Sequence, residues 1–125
     1  MKIPYWNTVV TLYKRMQTIE NGKTKVLYER HVLRGCFWRR GATRFLNDMD
    51  ASRVEEITCR VPGDMVAPEI GDFMFIGEVD IATPDGRSLA EAVKERNTAG
   101  AMKVSSVSLN AGIGTPIPHY AARGG

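Results

Sequence analysis

The most apolar stretch of the chain, Phe73-Met74-Phe75-Ile76-Gly77-Glu78-Val79, is fenced by turn formers on both sides, Pro68-Glu69-Ile70-Gly71-Asp72 before it and Thr83-Pro84-Asp85-Gly86 after it. A continuous apolar run of this length between such boundaries reads as a strand buried on both faces, at the centre of the fold. At 125 residues there is chain for one core and not for two ordinary domains. With 43% hydrophobic and 25% charged residues the composition is that of a globular protein, far from the disordered regime.

The flanking segments also favour strands. Thr8 to Arg15 and Thr24 to Leu33 are rich in β-branched and aromatic residues, and Asn21-Gly22 lies between them. Asn-Gly supplies the positive φ values of a hairpin turn, here within a connection longer than two residues. In the second strand Val26, Tyr28, Arg30 and Val32 alternate with Leu27, Glu29, His31 and Leu33, which predicts partial cover on both faces. Gly35 to Arg40 reads as a third short strand, with Cys36 and Trp38 on one face and Phe37 and Arg39 on the other. Ala42 to Ser52 reads as an exposed loop. Beyond it, Arg53 to Val61 returns to alternation, and Ile57, Cys59 and Val61 should enter the core.

One helix is expected. Ser88 can cap its N-terminus, with Glu91 completing a capping box, and Leu89, Ala92, Val93 and Arg96 recur at helical spacing before Asn97 and Gly100 end it. Met102 and Val104 then alternate in one phase and Val107 and Leu109 in the other, which predicts a β-bulge or a change of partner around Ser105-Ser106. From Asn110 onward, Gly112, Gly114, Pro116, Pro118 and Gly124-Gly125 suggest an extended tail. The reading is a mainly β protein: a small, partly open β-barrel or sandwich with one short helix over residues 1–109, and an extended C-terminal arm over 110–125.

Chemistry-bearing motifs are sparse. His31, His119, Cys36 and Cys59 lack the paired spacing of a zinc site, and Asp48-Met49-Asp50 lacks the glycine and terminal glutamate of a calcium loop. No serine or cysteine stands in a triad-like arrangement, and Gly112-Ile113-Gly114 has neither the spacing nor the following helix of a phosphate loop. The expectation is a protein that is not an enzyme and needs no cofactor. The two cysteines read as reduced, buried thiols of a chain kept in the cytoplasm, since no apolar run approaches the ~20 residues that span a bilayer. A net charge of +3 allows weak attraction to polyanions without demanding it. Arg34, Arg39, Arg40 and Arg44 around Phe37, Trp38 and Phe45 form the one cluster suited to gripping phosphates and stacking bases; the competing reading is a packed strand whose arginines meet solvent or a neighbouring subunit.

Three stretches, in order, resemble a family of small proteins encoded among the virion genes of bacteriophages and prophages of Gram-positive bacteria. They are Leu33-Arg34-Gly35-Cys36-Phe37-Trp38-Arg39-Arg40 after the hairpin; Thr58-Cys59-Arg60-Val61-Pro62 with Ile70 to Val79; and Gly100-Ala101-Met102-Lys103-Val104 with Pro116-Ile117-Pro118-His119-Tyr120. The chain is similar to head-completion or stopper proteins of the virion neck. That resemblance implies a small barrel forming a homo-oligomeric ring between portal and tail, assembled in the host cytoplasm and without catalytic residues. Its implied partners are further copies of itself, the portal or an adaptor protein, and tail proteins, with non-specific contact to packaged DNA left open and no membrane. The expected contact surfaces are Trp38, Arg39, Arg40 and Arg44 on one side and Pro116, Pro118, His119 and Tyr120 in the arm. The alternatives are a single-stranded nucleic-acid-binding barrel and a minor tail or tail-completion protein.

Overall fold

Asn21 and Gly22 make the first decision in the fold. In the computed structural model both have positive φ, 53° and 76°, and Glu20 pairs directly with Lys23. The connection is therefore a two-residue turn of the type that suits right-handed strand twist, tighter than the longer loop expected from the sequence. The structure describes residues 6–44, 53–82, 84–95, 100–110 and 118–124, with 42–44 and 53–55 in backbone only.

The turn joins β1 (Thr8–Glu20) to β2 (Lys23–Arg44). After them come β3 (Arg53–Pro62), β4 (Phe73–Ile76), the helix α1 (Gly86–Glu95), β5 (Ala101–Asn110) and β6 (His119–Gly124). Every neighbouring pair is antiparallel, and the order β1-β2-β3-β6-β5-β4 closes on itself through β1 and β4. The protein is thus a mainly β, closed barrel with a single short helix among its described residues. Closure removes the sheet edges that an open barrel or sandwich would leave.

The two strands expected at 24–33 and 35–40 are one. β2 pairs with β1 up to Cys36 and with β3 from Phe37 onward. At the changeover the register with β1 shifts between Thr8 and Val10, and Gly35 has a φ of 77°. A residue without Cβ at that position lets the strand bulge and turn along the wall without breaking. β5 uses the same device: its register shifts between Val104 and Ser106, as the change of hydrophobic phase predicts, and it passes from β4 to β6 there.

Alternation then sorts the side chains. Val10, Leu12, Cys36, Ile57, Cys59, Val61, Met74, Met102, Val104 and Ala122 fill the interior. Phe73 and Phe75, flanking Met74 on the short β4, point outward and are covered by Leu89 and Ala92 of α1, with Tyr13 and Ala101 in the same cluster. This double cover is why the central strand reads as apolar throughout, although the regular strand ends at Ile76. The segment after it is strapped to β1. Thr11 Oγ1 donates to the Gly77 carbonyl at 2.6 Å and accepts from Val79 N–H at 2.9 Å, and Tyr13 Oη accepts from Ile81 N–H at 2.8 Å.

Two local expectations are revised. The helix cap is Asp85, whose Oδ1 accepts from Ser88 N–H at 2.7 Å while Ser88 Oγ accepts from Asp85 N–H at 3.1 Å. Ser88 is therefore the reciprocal member of the box, and Glu91 instead pairs with Arg87 at 3.5 Å. The expected arm is also shortened: His119–Gly124 is a full member of the barrel wall, paired with β3 on one side and β5 on the other. A small-residue strand fits there because Ala121 and Ala122 are completely buried where neighbours crowd the wall. Residues 111–117 lie outside the described residues.

Candidate functional site

The barrel has one covered side and one bare side. α1 lies over β4 and β5, whereas the outer face of β2, β3 and β6 carries no second layer among the described residues. Register places the bare face in rows. Arg39, Thr58 and Arg123 form one row across the three strands, and Phe37, Arg60 and Ala121 form the next. Diagonal neighbours on one face stand about 7–8 Å apart, so Arg60 is within reach of both Arg39 and Arg123, which flank Thr58 on either side. Together with Glu56 they line a concavity of about 310 Å³, to which Gly41 contributes no side chain.

Each guanidinium is held differently. Arg60 Nη1 lies 2.8 Å from His119 Nε2, and Asn110 Nδ2 lies 3.0 Å from the same atom. A guanidinium has no acceptor, so Nε2 accepts and the ring proton sits on Nδ1. Arg60 is thus positioned by an uncharged group. Trp6 packs edge-on against the His119 ring at 5.1 Å and lies 6.3 Å from Phe37, fixing that corner of the site. Arg123 sits 3.7 Å from Glu56 Oε1, a long and half-exposed ion pair. Arg39 is exposed and forms no ion pair among the described residues.

A second surface lies at the other end of β2, where it runs beside β1. Beyond Tyr13, β1 has no partner except β2 among the described residues, and every residue from Arg15 to Leu27 is exposed. The result is a two-stranded ribbon that leaves the barrel for roughly 20 Å at 3.4 Å per residue. Its pairing sets Met16 beside Leu27 on one face and Ile19 near Val26 on the other. Ile19 is 81% exposed and Leu27 46%. The partial cover expected over this strand is found further along it, where Tyr28 packs on the Phe73 cluster and Leu33 enters the core, but not from Thr24 to Leu27, which no other described element covers.

The ribbon root is polar and tightly built. Asp72 is fully buried, and its two oxygens accept from the N–H groups of Arg15 and Glu69, each at 2.8 Å. Burial raises its pKa above the usual carboxylate value even though those donors pull the other way. Lys14 bridges to the Ala67 carbonyl at 2.8 Å and to Glu69 at 2.7 Å, and that hydrogen bond and charge hold Glu69 below its ordinary pKa.

The residues expected at interfaces divide among these environments. Arg39 lies in the bare-face concavity. Trp38, on the opposite side of β2, packs against the barrel interior, as does Tyr120. Arg40 shares Trp38's side of the strand and is exposed. Arg44 pairs with Arg53 through the backbone, and its side chain lies outside the described residues, as does Pro116. Pro118 is exposed and accepts from Gly63 N–H at 3.0 Å, while His119 orients Arg60. Of the wider arginine cluster, Arg34 pairs with Glu78, and Phe45 lies outside the described residues.

Sequence reasoning passed over Arg60 and Arg123 as site residues. The phase of β3 already set Arg60 opposite to the core residues Ile57, Cys59 and Val61, so that signal was present; Arg123 carried none, because its segment did not read as a strand. Met16 and Ile19 fell in the connection between the two expected strands and so were not read as ladder residues.

The two thiols are enclosed. Cys36 and Cys59 are buried in the barrel and share a hydrogen bond; that bond and burial push the Cys59 thiol well up. Among the described residues no three His, Cys, Asp or Glu side chains converge as metal ligands, and no helix is long and apolar enough to cross a membrane. The geometry of the bare face and the ribbon suits binding to other molecules through charge and apolar contact. No curated protein and no solved structure matches the chain. Over residues 5–125 it matches DUF6751, a family of unknown function, and it belongs to that family.

Proposed function

We propose that the protein is a structural subunit of a phage head-tail connector, assembling as a homo-oligomeric ring of the virion neck, and that it acts by docking with no reaction of its own. The observation that carries this reading is the ribbon from Arg15 to Leu27. A two-stranded hairpin standing in water is at best marginally stable alone, and this one also exposes Ile19, Leu27, Met16 and Val26. Apolar side chains on both faces of a projecting element are what a neighbouring subunit's surface would cover. Both outer strand edges of the ribbon are also open among the described residues, so a neighbour can be held by backbone pairing as well as by side chains.

A closed barrel supports the same reading from the other side. Because the wall has no open edge, association must run through appendages and outer faces, and a contact between ribbon and wall joins unlike surfaces. Such head-to-tail contacts close into rings when the rotation per subunit divides the circle. The resemblance to neck proteins supplies the setting: further copies of the chain on either side, with portal or adaptor and tail proteins above and below.

Negative-stain imaging and light scattering of the protein, alone and mixed with its portal and tail proteins, test the reading. Rings, or incorporation into a portal-containing complex, are expected. Persistent monomers that bind neither partner overturn it.

A further inference from the structure

The bare face of β2, β3 and β6 carries a charge that the apolar side chains of the ribbon do not match. Three arginines and one carboxylate meet in the concavity, leaving two positive charges in excess. Arg39 has no counter-ion among the described residues, Arg60 is oriented by the neutral His119, and only Arg123 approaches an acid, at 3.7 Å. The side chains around them are built to hold this arrangement: Asn110 and Trp6 fix His119, and His119 fixes Arg60. Phe37 lines the same concavity, with Trp6 packed nearby.

We propose that this concavity is a binding site for single-stranded nucleic acid, with Arg39, Arg60 and Arg123 gripping backbone phosphates and Phe37 offering a ring on which a base or sugar packs. Guanidinium groups match the geometry of phosphate oxygens and hold them by paired hydrogen bonds. The aromatic ring among the arginines favours a nucleotide over an acidic peptide, because every base has a π-face to stack while glutamate and aspartate have none. The excess of charge is small, so the site adds a modest, salt-sensitive affinity. It lies on the barrel wall, away from the ribbon, and does not depend on the assembly reading.

Fluorescence anisotropy with a labelled oligothymidylate of about 20 nucleotides, longer than a single site of this kind, tests it. If three arginines each neutralise one phosphate, log affinity falls with log salt at a slope of about −2.1 for a single strand, a loss of about 18-fold between 50 and 200 mM. Arg39→Gln should reduce that slope to about −1.4, a loss of about 7-fold over the same range. Arg123→Gln should act alike, each variant keeping the parent's melting temperature. Lys23→Gln removes a charge on the ribbon and should leave the slope unchanged. Polyglutamate of equal length should not displace the oligonucleotide at matched ionic strength. The proposal is overturned if the parent shows no binding, if Lys23→Gln matches Arg39→Gln, or if polyglutamate competes as well as unlabelled oligonucleotide.

Discussion

β1 and β2 each pass through two environments within a single regular strand. From Val10 to Tyr13, β1 lies between β2 and β4, and its side chains are completely buried, alternately inside the barrel and under the helix-side cluster. From Arg15 to Glu20 the same strand has one neighbouring strand among the described residues, and its side chains are exposed. Strand-favouring residues occur in both halves, Val10, Thr11 and Tyr13 in the first and Thr18 and Ile19 in the second, and both form ladders. The difference is burial: the first half is fixed by packing from two sides, the second only by its turn and by its root at Asp72. A strand's propensity gives it its shape, whereas its stability comes from what lies against it.

Substitutions in the two halves can break that distinction. Leu12→Ala should cost about 2–5 kcal/mol in urea denaturation, because it opens a cavity in a filled barrel. Met16→Ala, on the same face one step beyond the wall, should cost no more than about 0.5 kcal/mol in the monomer. Comparable losses at both positions would show that the ribbon is packed in solution.

The root joins the halves, so Asp72→Asn sharpens where one ends. An amide has one acceptor oxygen for the two N–H groups of Arg15 and Glu69, and the variant should lose about 1–3 kcal/mol. A pH dependence accompanies this. The folded-state pKa of Asp72 lies above its ordinary value of 3.8, so the native state holds that proton more firmly than the unfolded chain. Its contribution is therefore fully present below the ordinary value and is lost as pH rises through the folded-state pKa. Denaturation of parent and variant between pH 3 and pH 7 should show this slope in the parent and not in the variant.

Gly22→Ala forces a side chain into the left-handed region and should cost about 1 kcal/mol, read as lost amide protection from Met16 to Leu27 with the barrel amides unchanged. Protection lost equally in the wall would mean that the ribbon and barrel fold as one unit. The smallest effect on the monomer is expected at the ribbon's most exposed side chain. Ile19→Ser should change stability by less than about 0.5 kcal/mol while reducing the assembled mass in light scattering. Unchanged assembly would remove Ile19 from the interface.

Much of this was legible because strand periodicity is local. The phases of Cys36 and Trp38 against Phe37 and Arg39, and of Ile57, Cys59 and Val61 against Thr58 and Arg60, follow from alternation alone, and so does the bulge near Ser105. β6 was not legible. Pro118, the small residues Ala121 and Ala122, and Gly124 resemble a tail, and only pairing with the preceding β5 and with β3, far away in sequence, makes His119–Gly124 a strand. The same long-range pairing hid the bare-face site. Arg39, Arg60 and Arg123 come from three separate segments, and two of them become neighbours of the third only when β6 enters the wall.

The sequence by itself determined which residues could face a core, where the first hairpin turns, and that one helix would follow the central strand, because turn chemistry and alternation act over a few residues. Only the tertiary structure decided that the wall closes, that the last described segment belongs to it, and that half of the first hairpin stays outside. Those outcomes depend on which distant strands find each other, and on whether a strand that can be covered has anything near enough to cover it.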